Sequence, residues 1–146
     1  MYKKILLAYD GSDAGQTALL DCKELANWSQ SELHLVAVMP SAMSFVGLEG
    51  GVYDVELEER EKKKYRGVLD DGLRRLTEMG WGSARGEVVT GEAVDEITKY
   101  AKKIGANLII VGHKHLDSWA ARWWRGSISG ALIEHAPCSV LVVIIH

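Results

Sequence analysis

Two short turns and one helix start carry the residues with the most chemical promise. Asp10-Gly11-Ser12 follows one apolar run, Gly112-His113-Lys114-His115 follows another, and Gly126-Ser127 opens an amphipathic segment. An aspartate at a strand end can receive a ribose hydroxyl, and a glycine just past a buried strand lets backbone approach a ligand closely. A helix N-terminus presents unpaired amides and the positive end of its dipole to phosphate, and Gly126 and Ser127 supply such a terminus. Arg122 and Arg125 stand immediately before it, where a guanidinium can add paired hydrogen bonds to phosphate oxygens. Val38, at the end of a third apolar run, can flank a base. The same residues also have routine uses: Asp10 and Ser127 cap helices, and glycines serve turns. Spacing alone leaves both readings open.

Other reactive side chains point to less. His113, His115, His135 and His146 have no strong carboxylate or cysteine partner nearby in sequence, so no metal site is expected. Cys22 and Cys138 are far apart and lack a CxxC companion, which argues against a disulfide framework or zinc knuckle and for two small hydrophobes. Trp119, Trp123 and Trp124 crowd one short segment. They either pack under the domain's own loop, cover a base, or meet a partner subunit, where aromatic side chains are enriched. No general base stands beside a γ-phosphate position, and Asp10 and Asp117 are the only acidic candidates for magnesium. No catalytic residue is therefore assigned, and slow hydrolysis of a bound nucleotide is the most that is expected.

These turns need strands to hold them. Short apolar runs alternate with longer amphipathic ones, which is the pattern of an α/β protein, a parallel sheet with helices on both faces. The runs are Lys4 to Tyr9, Leu33 to Met39, Arg85 to Val89, Asn107 to Val111 and Ser139 to Ile145. The fourth is Leu-Ile-Ile-Val behind one polar residue, and such unbroken hydrophobicity places it centrally, buried on both faces. Ala18, Cys22 and Leu25 recur at helical spacing after the first turn. A long helix is predicted from about Val55 to Met79, slightly weakened by Gly67 and Gly72. A third begins at Thr90-Gly91-Glu92 and stops at Gly105, and a fourth runs from Ser127 to His135. Ser41 to Tyr53 has no clear period and reads as a mobile loop. In open parallel sheets, ligands sit outside the carboxyl ends of strands, where neighbouring connections diverge to opposite faces.

The 146 residues are 47% hydrophobic and 25% charged, ordinary values for a globular chain, so a single domain over 1–146 is expected. Seventeen basic against twenty acidic residues leave a formal charge of -3, without the general electrostatic footprint of a nucleic-acid or membrane-surface binder. No apolar run approaches the roughly 20 residues of a spanning helix. The opening Met1-Tyr2-Lys3-Lys4 leads into an apolar segment too short for a signal peptide. A cytoplasmic protein is expected.

Met1-Tyr2-Lys3-Lys4-Ile5-Leu6-Leu7-Ala8-Tyr9-Asp10-Gly11-Ser12 resembles the opening of universal stress proteins. Leu108-Ile109-Ile110-Val111-Gly112, Gly126-Ser127-Ile128-Ser129 and Ala136-Pro137-Cys138-Ser139-Val140-Leu141-Val142-Val143 resemble that family's closing block, with Gly91, Ala93, Ile97 and Ala101 between. The resemblance implies the adenine nucleotide alpha hydrolase-like fold, an open five-stranded parallel sheet in the order 3-2-1-4-5. It also implies an adenine nucleotide (ATP, ADP or AMP, with magnesium possible beside it) at the ends of strands one and four. The contacts so implied are Ala8, Tyr9, Asp10, Val38, Val111, Gly112, Lys114, His115, Arg125, Gly126, Ser127, Ile128 and Ser129.

The chain departs from the family's GxxGxxxxxxxxxG phosphate loop twice. His115 stands at the second glycine, and ten residues, Leu116 to Arg125, precede Gly126 instead of nine. A family branch without the loop does not bind ATP, so a nucleotide-free dimer acting through protein contacts is the alternative. Finally, an apolar last strand, Val140 to Ile145, at a sheet edge invites pairing. In the family it pairs antiparallel with its own copy, which implies a homodimer.

Overall fold

The structure is a computed structural model that describes residues 2–41, 55–114 and 128–145. The Ser41 to Tyr53 loop beyond its first residue, the tryptophan cluster, His115, Arg125, Gly126 and Ser127 lie outside the described residues.

The elements in chain order are β1 (Lys4–Ala8), α1 (Asp13–Ser29), β2 (Glu32–Met39), α2 (Val55–Glu78), β3 (Arg85–Thr90), α3 (Ala93–Ile104), β4 (Leu108–Lys114), α4 (Ile128–His135) and β5 (Ser139–Ile145). The strands form one sheet in the order β3-β2-β1-β4-β5, every neighbouring pair parallel. The expected order is thus the observed one.

Several boundaries differ from the sequence reading: β2 begins one residue earlier, at Glu32, and β3 ends one residue later, at Thr90. β1 ends one residue early, at Ala8, although the Tyr9 N–H still donates to Val36 O at 2.9 Å. Asn107 does not begin β4: its side-chain oxygen accepts the backbone N–H of Lys3 and Lys4, each at 3.1 Å, while its own N–H donates to Lys4 O at 2.9 Å. This latch ties the amino ends of β1 and β4 in register, Ile5 opposite Leu108 and Ala8 opposite Val111. At its other end β4 runs three residues beyond Val111, because Gly112, His113 and Lys114 pair with Val143, Ile144 and Ile145 of β5.

Helix ends follow local chemistry. Ser12 caps α1 through its side chain, and Gln30 closes it in the left-handed region at φ 57°. Glu92 caps α3 by accepting the N–H of Val94 and Asp95, and Gly105 ends it at φ 70°, a conformation that costs glycine little.

Strand alternation divides the core into two layers. Ile5, Leu7, Leu35 and Ile110 face α1 and α2, with Ala18, Leu19, Cys22, Leu69 and Leu76 beneath those helices. Leu6, Val36, Ile109 and Val111 face α3 and α4, against Ile97, Tyr100, Ala101 and Leu132. Ile5, Leu6 and Leu7 are all fully buried, as are Ile109 and Ile110, so β1 and β4 are covered on both faces. Burial pushes the Cys22 thiol up, so it behaves as a packing group. Among the described residues no helix is long and apolar enough to cross a membrane.

Gly72 has a reason that helix propensity does not reveal. A Cβ there would stand 2.7 Å from the Tyr9 ring and 2.9 Å from Leu35 Cδ2, so this turn of α2 seats directly on β2 and on the Tyr9 ring just past β1. Gly67, by contrast, faces open space.

Candidate functional site

The paired ends of β1 and β4 are the point where connections part. From β1 the chain passes through residues 9–12 into α1 on one face of the sheet, while α4, which follows β4 in order, packs on the other. Such a divergence leaves a crevice at the carboxyl ends of the two strands.

The floor beside that crevice is apolar. Ala8 and Val38 are half-buried and pack on the α3 and α4 side, with Val111 buried between that layer and the sheet. Alternation along β4 puts half-buried His113 on the same face as Val111. Lys114 is the last residue of β4, and Ile128 and Ser129 open α4. Asp10 stands exposed at the rim.

Asp10 is held by its own turn. Its Oδ1 accepts the backbone N–H of Ser12 at 2.9 Å and the Ser12 hydroxyl at 2.6 Å. Gly11 takes φ +77°, which sets the corner, and sits against Val68 of α2. Sequence reasoning singled out Asp10 but missed the roles of Val68 and Gly15. Nothing in their residue types signals that they line this turn.

Gly112 has a packing role besides the one its strand-end position suggests. A Cβ on it would fall on the Ala14 carbonyl and lie 2.8 Å from the Gly15 nitrogen. The missing side chain lets the first turn of α1 lie on β4, and in this way it packs the Asp10 turn close to β4.

Tyr9 contributes backbone to the rim, its N–H donating to Val36 O at 2.9 Å, but its ring turns to the face opposite Ala8. There it is buried under α2, and its hydroxyl has no hydrogen-bond partner among the described residues. Burial, reinforced by Asp71, raises its pKa above the ordinary value of about 10. Asp71 is itself held below the usual carboxylate range by hydrogen bonds from Arg75 and Arg74.

A folded-state pKa raised above the unfolded one contributes stability that is present below about pH 10 and lost as pH rises through the folded value. An orphaned buried hydroxyl also costs about 1–3 kcal/mol. Tyr9→Phe is therefore expected to raise stability by about 1 kcal/mol in urea unfolding at pH 7 and to move alkaline unfolding to higher pH. A destabilised variant would show that the hydroxyl has a partner.

Among the described residues no three histidine, cysteine or acidic side chains gather as metal ligands. What the described residues offer is a carboxylate acceptor beside an apolar floor, which fits a sugar hydroxyl and a flat base.

Comparison with known proteins agrees with this architecture. The chain is 30% identical to universal stress protein YxiE of Bacillus subtilis over 149 residues, spanning 98% of this chain and 99% of that one. A universal stress protein solved in complex with cAMP superposes with a TM-score of 0.71 at 20% identity, covering 99% of this chain and 97% of its own. A family protein of Arabidopsis thaliana solved with AMP bound gives 0.69 at 18% identity, covering 99% and 92%. At those two identities the likeness is one of fold. The model of the universal stress protein family matches residues 1–143, and with this coverage the chain belongs to the universal stress protein family.

Proposed function

We propose that this protein binds an adenine nucleotide at the carboxyl ends of β1 and β4 and serves the stress response as a cytoplasmic homodimer. One observation carries the reading: the adjacent ends of β1 and β4 set a held carboxylate, Asp10, beside the half-buried apolar floor of Ala8 and Val38. In this arrangement the base lies on the apolar floor and a ribose hydroxyl donates to Asp10. The phosphates run toward the start of α4, where Gly126 and Ser127 precede Ile128. The AMP and cAMP complexes of the two structural neighbours support this ligand class. Pairing through β5 is supported by its place at the sheet edge, with Ile144 half exposed beside half-buried Val142.

Calorimetric titration with ATP, ADP, AMP and cAMP tests the reading. Saturable heat and a raised unfolding midpoint are expected for at least one of them. Neither signal at millimolar nucleotide would leave the nucleotide-free dimer in its place. Sedimentation of the same samples tests the dimer, and a monomer at all concentrations would reject it.

A further inference from the structure

Asp10 is exposed, yet its carboxylate is not free to turn. Both donors of Ser12, the N–H at 2.9 Å and the hydroxyl at 2.6 Å, converge on Oδ1. The Ser12 oxygen in turn accepts the N–H of Gly15 at 3.1 Å, so one side chain joins the carboxylate to the first turn of α1. Gly15 closes the space on that side, since a Cβ there would stand 2.7 Å from Oδ1. Among the described residues no donor reaches Oδ2.

An ionised carboxylate has about four lone-pair sites, two to each oxygen. Two donors therefore fill the share of Oδ1. A carboxylate with both oxygens open can take two neighbouring hydroxyls as a fork, one to each oxygen. With one oxygen filled, both would have to converge on the other, whose two lone pairs diverge too widely for adjacent ring hydroxyls to meet together, so only one forms a strong bond.

We propose that Ser12 is a positioning residue that divides the Asp10 carboxylate, committing Oδ1 to the turn and leaving Oδ2 to read one of the two ribose hydroxyls. This rests on the adenine-nucleotide reading above and adds to it a selectivity and the residue that sets it. The site is then strict toward one hydroxyl and indifferent to its neighbour. Ser12 sets the rule without touching the ligand, because its hydroxyl keeps Oδ1 occupied.

The test is calorimetric titration of the full chain with ATP, 2′-deoxy-ATP and 3′-deoxy-ATP. In the unmodified protein one deoxy analogue binds about tenfold or more weakly than ATP, the loss of a hydrogen bond to a charged acceptor, and the other binds within about twofold. Ser12→Ala opens one of the two places on Oδ1, the backbone N–H keeping the other, and narrows the difference between the analogues to less than about threefold, while Ser12→Thr, which keeps the hydroxyl, restores it. If Ser12 were only a helix cap, Ser12→Ala would weaken all three nucleotides by one factor and leave their ratios intact, which overturns the proposal. Equal weakening of both analogues in the unmodified protein overturns it as well.

Amide hydrogen exchange at residue 12 separates the two levels of failure. Ser12→Ala is expected to speed that exchange by about tenfold as the unpinned carboxylate leaves the N–H, with Ser12→Thr unchanged. If no nucleotide binds but exchange behaves so, the nucleotide reading fails and the divided carboxylate stands. Identical exchange in all three proteins would show that the hydroxyl does not hold Asp10, and the proposal falls.

Discussion

Gly112→Ala lowers the midpoint of thermal unfolding by about 10 °C, the largest stability effect expected of any single methyl group near the site. The obstacle to the new Cβ is backbone, the Ala14 carbonyl and the Gly15 nitrogen, and no side-chain rotation can relieve it. Relief requires the first turn of α1 to lift off β4. Overpacking of this kind costs about 1–3 kcal/mol, the upper end applying where backbone must move. For a chain of this size each kcal/mol moves the midpoint by about 3–4 °C. Gly112 is not among the glycines at positive φ, so the penalty is steric and has no conformational part.

Gly67→Ala is the matching control. It adds the same methyl group where nothing lies within 4 Å and gains about 1 kcal/mol of helix propensity, so its midpoint rises. If Gly112→Ala melts with the unmodified protein, α1 does not rest on β4 as described. Any loss of ligand affinity in Gly112 variants is to be read first as a displaced α1, and only then as a lost ligand contact.

The second large effect is on binding. Asp10→Ala weakens the adenine nucleotide by about 10–100-fold, the range for removing a charged acceptor from one hydroxyl. The same change costs about 1 kcal/mol of stability, because the Ser12 N–H and hydroxyl lose their acceptor at the start of α1. Asp10→Asn keeps an acceptor oxygen for Ser12 and so preserves the melting temperature while still weakening the ligand by about tenfold. Titration and melting of the two variants separate the functions of the two oxygens. Unchanged affinity in Asp10→Ala would remove Asp10 from the site and with it the ribose contact.

Much of the fold was legible in residue pattern alone. Ile5 to Leu7 and Leu108 to Val111 are unbroken apolar runs, and only a strand covered on both faces accommodates them, which is where both lie. The caps were equally local: Glu92 and Gly105 bound α3 because an acceptor side chain and a left-handed residue are demanded by the helix ends themselves. The order of the strands was a different matter. Period and composition say that a segment is a strand but not which strand it neighbours, and the order came from the family resemblance.

Three features belonged to tertiary structure. The Asn107 latch joins residues more than a hundred positions apart, and an asparagine before a strand has many commoner uses. The extension of β4 to Lys114 depends on β5 being there to accept its hydrogen bonds. Gly112 reads in sequence as a glycine at a ligand's edge, and only the fold shows that α1 lies on it.

At the candidate site, then, the residue types of Asp10, Ser12, Val38 and Gly112 were enough to mark the strand ends as chemically promising. Only the folded chain decided that Asp10 keeps one oxygen for its own turn, that Tyr9 faces away from Ala8, and that Gly112 serves packing. The reason is that propensity and periodicity act over a few neighbouring residues. The free oxygen, the orphaned hydroxyl and the missing methyl group are each defined by atoms that sequence separates and packing brings together.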